Sequence, residues 1–229
     1  ADLIPNIVST VKGEADFEKT TLQNVIEARA KATAIQATPE LVNNPEAFAK
    51  FTQAQIDLAY VLYKTEKPEE ATAAIDRFIR TFPQHPQIAY AYYLKALINF
   101  GRGTGFLSRV ARRDPSMRDL SGPIQSYNDF NEVLRRFPSS IYAPDARQRM
   151  VYLRNALARY EMNVGLYYYR RGAWVSAANR GKYILETYPQ SQYDGDAVAL
   201  LAVSYDRLGQ KLLADDARRV LTLNYPTHP

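Results

Sequence analysis

The residue types that most often carry catalysis are thinly spread along this chain. Its two histidines are His85, just after a helix stop, and His228, next to the last residue; there is no cysteine. Neither histidine stands at a spacing that makes a metal site or a nucleophile–base pair. Asp215 and Asp216 are neighbours, and neighbours on a helix point in different directions, so local spacing does not couple them as acid and base. The glycines of "GRGTG" at 101–105 lack the Gly-Lys-Ser/Thr ending of a phosphate-binding loop. No catalytic residue, metal ligand or cofactor is therefore expected. Disulfides and cysteine-based zinc sites are excluded outright.

The chemistry that remains is recognition. "RVARRDPSMR" and "YYYRRG" place cations beside aromatic rings, and the formal net charge is +5, the balance expected of a nucleic-acid binder. The arginines are interleaved with acids, however, and solvated helix faces account for most of them, so no nucleic acid is expected as a partner. The tyrosines weigh more. Tyr90, Tyr92 and Tyr93 occupy more than one helix face, as do Tyr167, Tyr168 and Tyr169, so not all can be buried. Amphipathic tyrosine beside Arg170 and Arg171 is the composition of a protein-binding surface. Some members of each cluster are expected in the core, with the others snorkelling.

The elements that must position these residues are helices. Of 229 residues 46% are hydrophobic, glycine is scarce, and strand-like alternation is hard to find, so the fold class is all-α. No apolar run approaches the roughly 18–20 residues of a membrane span; "AVALLAV" at 197–203 is about the longest. No signal peptide is visible, so the chain reads as a mature or trimmed form. Four times an aromatic residue precedes a proline: Phe82-Pro83, Phe137-Pro138, Tyr188-Pro189 and Tyr225-Pro226. Twelve residues before each proline stand Ala71, Ser126, Ala177 and Ala214, all small. Twenty-four before stand Ala59, Asp114, Gly165 and Ala202, and five before stand Phe78, Val133, Ile184 and Leu221. Small residues where helices cross and an apolar residue on the second helix form the tetratricopeptide (TPR) frame, in which proline ends each helix pair. The prolines are 55, 51 and 37 residues apart instead of about 34. Residues 101–122 are expected to supply the first excess as a loop, and 141–171 the second as one long helix.

Composition changes along the chain. Residues 1–51 carry net charge −2 and no tyrosine, whereas 52–229 carry +7 and all 17 tyrosines. In the first part, Leu3, Ile4, Ile7, Val8 and Val11 follow helical spacing, as do Leu22, Val25, Ile26 and Ala30. A helical hairpin over 1–36 is expected to pack on the helix that holds Ile56, Ala59, Leu62 and Tyr63. "ATPELVNNPEAF" reads as a turn with helix starts at Thr38-Pro39 and Asn44-Pro45.

From about residue 53 onward the chain resembles the BamD (ComL) family of TPR lipoproteins, most specifically in "ALARYE…YYYRRGAW…NR" and the preceding "RRDP". Residues 1–51, with "ADLIPNIVSTVKGEADFEKTTLQNVIEARAKATA", resemble the LemA family instead. The two resemblances imply a chimera joined near Phe51-Thr52, with a natural fusion as the alternative. They divide the chain into a LemA-like segment, 1–51, and a TPR domain, 52–229. The BamD resemblance implies a non-catalytic scaffold at the periplasmic face of the outer membrane, held by a lipid anchor that this chain lacks. It implies BamA periplasmic domains, other components of the barrel-assembly (BAM) machinery and unfolded outer-membrane proteins as partners, the last put in doubt by the altered first repeat. It places a partner surface at Tyr167, Tyr168, Arg170, Arg171 and Trp174, with Arg180 positioned to pair with a partner carboxylate. A peptide groove would use Tyr60, Tyr63, Tyr90 and Tyr93. The alternative function is a general peptide-binding TPR adaptor of the cell envelope.

Overall fold

The repeat ends superimpose in their backbone geometry. Phe82, Phe137, Tyr188 and Tyr225 each follow the last helical residue, with φ between −124° and −134° and ψ between 50° and 58°. Each donates its N–H to the carbonyl four residues earlier, at Phe78, Val133, Ile184 and Leu221, at 2.8 Å. The following proline forbids a helical ψ at these aromatics, which is why the helix stops there every time.

The computed structural model describes residues 23, 25–32, 44–110 and 120–228, the side chains of 103–110 excepted. All regular elements among them are helices. After a helical stretch at 25–32 come α1 (Pro45–Lys64), α2 (Pro68–Thr81), α3 (Ile88–Val110) and α4 (Ser121–Arg136). They are followed by α5 (Ala143–Arg170), α6 (Trp174–Thr187), α7 (Asp194–Arg207) and α8 (Lys211–Asn224). Two compact units divide the chain, Ala1–Ile98 and Asn99–Pro229.

In the first unit α1 packs on α2, and Lys95 of α3 pairs with Asp76 of α2 at 2.8 Å. Asn44 caps α1 by accepting the Ala47 N–H at 3.1 Å, with proline at the first helical position, as the sequence signal predicts. The 25–32 helix buries Val25 and Ala32. Of the expected stripe Leu22, Val25, Ile26 and Ala30, Val25 is buried, whereas Ile26 is 55% exposed and Ala30 is exposed, so the buried side is corrected to Val25 and Ala32; Leu22 lies outside the described residues. Gln55 of α1 donates to the Ala32 carbonyl at 3.0 Å, and Arg29 pairs with Glu70 of α2. The stripe from Leu3 to Val11, Thr38-Pro39 and Asp114 lie outside the described residues.

In the second unit α4 packs on α5, α5 on α6, α6 on α7 and α7 on α8, and α7 also touches α5. That is the stacking of a helix-pair solenoid. The small residues predicted at the crossings, Ser126, Ala177 and Ala214 here and Ala71 in the first unit, are all 0% exposed. The long helix expected over 141–171 is α5, 28 residues against 14 for α7. That difference of 14 equals the amount by which the Pro138–Pro189 spacing exceeds the Pro189–Pro226 spacing. The expected loop at 101–122 is corrected at both ends, because α3 continues to Val110 and α4 begins at Ser121. Once Ala91, Leu94, Ala96 and Ile98 anchor α3 by burial, each added residue gains a backbone bond without a new nucleus, and this outweighs three glycines. Pro123 is accommodated because it sits in the first turn of α4, where its missing N–H needs no partner.

A second recurrence lies 17 residues before three of the four prolines, Pro83, Pro189 and Pro226, at the turn inside the helix pair. Glu66, Gly172 and Gly209 have φ of 57°, 74° and 72°. The residue after each donates its N–H five residues back, to Leu62, Tyr168 and Tyr205, closing the helix in the Schellman manner. Only glycine adopts this conformation without a steric cost of about 1–2 kcal/mol. Glu66→Gly should therefore stabilise the first unit by about 0.5 kcal/mol, the remainder being lost to the freer unfolded chain. A urea melt checks it; a destabilised variant would contradict the strain argument.

His85, two residues after Pro83, is fixed as the neutral form with its proton on Nε2. Its Nδ1 accepts the Gln87 N–H at 3.1 Å, and Nε2 lies 3.1 Å from Thr52 Oγ1. Burial holds its pKa below the ordinary histidine value. The unfolded chain therefore takes up the proton first as pH falls. The first unit should lose stability as pH drops below about 6.5, and His85→Gln should flatten that part of the pH–stability curve. Identical curves for parent and variant would remove His85 as the cause.

Candidate functional site: a partner-binding surface on α5 and α6

Gly165 of α5 sets the depth at which α6 and α7 approach. A Cβ there would stand 2.6 Å from Leu200 Cδ2 and 3.2 Å from Arg180 Cβ. Its absence lets Arg180 of α6 lie along α5, where Nη1 donates to Glu161 Oε2 at 2.7 Å. The Glu161 side chain is 9% exposed and that of Arg180 38%. Burial by itself would lower the Arg180 pKa, but Glu161 and the Tyr168 hydroxyl outweigh it, so the guanidinium is held above its ordinary value. Beneath the pair lies Tyr188, 3% exposed, with the rings of Tyr127 and Tyr183 edge-on at 6.2 and 5.9 Å. Burial, then Tyr183 and Glu161, push the Tyr188 hydroxyl well above its usual pKa. It stays protonated.

Arg180 opens into a depression of about 300 Å³ lined by Tyr168, Ser176, Asn179, Arg180 and Tyr183. A fixed cation among hydroxyl and amide groups suits an incoming carboxylate. The sequence-predicted residues separate into two groups around this point. Arg180 and Tyr168 line the depression. Tyr167 is 51% exposed and stacks under Arg171, whose guanidinium carbon is 4.7 Å from the ring centre. Half-buried Trp174 contacts Tyr169 at 4.8 Å and lies under Arg207 of α7 at 5.5 Å. Arg170 is exposed beside them.

The surface also uses residues that sequence reasoning missed. Ser176 and Tyr183 stand four before and three after Arg180, so helical spacing from Arg180 could have found both. Glu161 and Arg207 lie on other helices, and no spacing rule connects them to Arg180 or Trp174. In the first unit, Tyr60 and Tyr63 are half-buried, with Lys64 Nζ 5.8 and 5.6 Å from their ring centres. Tyr93 is half-buried, but Tyr90 is only 9% exposed and belongs to the core more than to a groove. Among the described residues no cluster of three or more His, Asp or Glu could hold a metal, and no helix is long and apolar enough to cross a membrane.

Known proteins share this chain's sequence over most of its length. The YfiO family, described as outer membrane lipoprotein, matches residues 20–220. The outer membrane protein assembly factor BamD of Xylella fastidiosa is 55% identical over 177 residues, 77% of this chain and 61% of that protein. The BamD of Neisseria meningitidis serogroup A is 44% identical over 177 residues, 77% of this chain and 66% of that protein. The Vibrio cholerae BamD is 29% identical over 202 residues, 88% of this chain and 84% of that protein. The chain thus spans about three-fifths of the length of the Xylella relative. The family match begins at residue 20, inside the segment expected to be LemA-like, and its range spans Phe51-Thr52. The reading of residues 1–51 as LemA, and of the whole as a chimera, is not supported; residues 20–51 fall within the one family.

Proposed function

The chain belongs to the YfiO family of outer membrane lipoproteins, whose relatives are assembly factors and not enzymes, and from that premise we propose that it is a non-catalytic TPR scaffold of outer-membrane protein assembly. Its working surface binds the periplasmic domains of BamA, a carboxylate of the partner entering the Arg180 depression. The observation that carries this is the posture of Arg180: held by Glu161 on one side, 38% exposed, and open to a polar depression. The exposed Tyr167–Arg171 and Trp174–Arg207 stacks beside it supply the rigid aromatic and arginine contacts typical of binding hot spots. Within this reading, a lipid anchor tethers the scaffold to the membrane. The tyrosines of the first unit receive unfolded barrel precursors, and the compositional break near residue 51 marks the edge of the TPR domain.

Asn179→Glu tests the reading without touching the Arg180–Glu161 pair. Asn179 is exposed on the rim of the depression, so a carboxylate there leaves the fold intact but meets the partner's own carboxylate. Binding of BamA periplasmic domains, measured by titration calorimetry, should weaken about tenfold or more. Unchanged affinity would sink the assignment of this surface.

A further inference from the structure

Helix α8 has a polar side and, on another side, an apolar face. In α6 the residues that α7 covers include Ala178 and Gly181; the residues 37 positions later in α8 are Asp215 and Arg218, both exposed and paired at 2.9 Å. Arg218 also reaches Asp206 at 3.2 Å. This side carries paired charge where α6 carries the small residues that a stacked helix needs. The outward side is different. Leu212 is 84% exposed, Leu223 73%, Leu213 46% and Val220 42%. At the repeat positions of Val220 and Leu223, α4 carries Glu132 and Arg135, a bonded ion pair. Solvated charge is thus replaced by exposed leucine and valine, independently of the Arg180 surface.

The pattern of that side is self-complementary. Leu212, Asp216, Arg219 and Leu223 follow one another at helical spacing and form one stripe. Leu212 and Leu223 are equidistant from the midpoint of the helix, as are Asp216 and Arg219. Two antiparallel copies related by a two-fold therefore set each Leu212 against the other Leu223 and each Asp216 against the other Arg219. The same operation lays the Leu213–Val220 flank against itself. In the single chain Asp216 and Arg219 hold each other at 2.6 Å on the surface, so exchanging partners desolvates no unpaired charge.

We propose that α8 is a homodimerisation surface, and that its occupant is α8 of a second copy of this chain. The interface is one helix pair, so the association is weak and reversible. Sedimentation equilibrium of the full chain should show a mass rising toward the dimer with concentration, and Leu223→Asp should abolish that rise. The decisive arm is a charge exchange. D216R and R219D should each raise the dimer dissociation constant about tenfold or more, since each opposes like charges across the two-fold. Mixing the two, or combining both substitutions in one chain, should restore association, because every cross-pair is again opposite in sign. A chain that stays monomeric at all concentrations overturns the proposal and leaves the face to another partner. A dimer indifferent to the charge exchange overturns it too, since the copies would then meet elsewhere.

Discussion

Gly181→Leu should be among the most damaging single changes in the second unit. A Cβ at this position of α6 would stand 2.9 Å from the Ala197 carbonyl oxygen and 3.1 Å from Leu201 Cγ, both on α7. A leucine tip could rotate aside, but the carbonyl belongs to helix backbone and cannot. The two helices must separate, and with them the cluster of Leu157, Ala177, Ile184, Ala197 and Leu200 that joins α5, α6 and α7. Overpacking of this kind costs about 3 kcal/mol, reduced by at most about 1 kcal/mol from the better helix propensity of leucine. Gly209 provides the contrast. Nothing lies within 4 Å of its Cβ position, so Gly209→Ala should cost only the strain of φ +72°, about 1 kcal/mol. Urea denaturation of both variants checks the ranking. Equal stability would mean that the α6–α7 contact can relax, against the packing argument.

Arg180→Glu carries the second large effect, and it acts on two quantities at once. The family resemblance assigns Arg180 to a partner carboxylate; the structure adds a carboxylate of its own fold, that of Glu161. Glu161, 9% exposed at its side chain, would face a second carboxylate in place of the guanidinium it accepts from. Breaking a fully buried pair costs about 3–5 kcal/mol. Arg180 is partly solvated, which lowers the expectation to about 2 kcal/mol. Binding of BamA periplasmic domains should fall as well, by more than the loss of folded protein explains. Glu161→Gln separates the contributions: it keeps a hydrogen-bond acceptor for Arg180, removes the buried charge, and should leave partner binding nearly intact. If Arg180→Glu melted with the parent, the ion pair would not be part of the fold's stability. If Glu161→Gln bound as poorly as Arg180→Glu, Arg180 would act only through the fold and not on the partner.

The repeat frame was legible because it depends on local chemistry. An aromatic before proline cannot take a helical ψ, and a small residue at a helix crossing has no substitute, so both leave a mark at fixed spacing. The long α5 was legible for a related reason, since after Pro144 in its first turn no proline or glycine stands in it before Gly165. The 101–110 stretch was misread because its glycines are a local signal, while the burial that extends α3 through them comes from Ala91 to Ile98. The break in composition at residue 51 was real, but composition reports the solvent and partners a segment meets, not its ancestry. The family match spans residues 20–220 and so gives no support to a second family before the break.

By itself, then, the sequence determined the all-helical class, the four repeat ends, the small residues at the crossings and the lack of cysteine chemistry. Those are properties of residues close in the chain, where helix geometry converts spacing into contact. Tertiary structure alone decided the rest. Arg180 meets Glu161 across 19 positions, Trp174 meets Arg207 across 33, and His85 reaches Thr52 across 33. No helical period links such pairs. The first two depend on how closely α5, α6 and α7 approach, and Gly165 and Gly181 permit that approach because they add no atom between the helices; the third depends on α1 packing against α2.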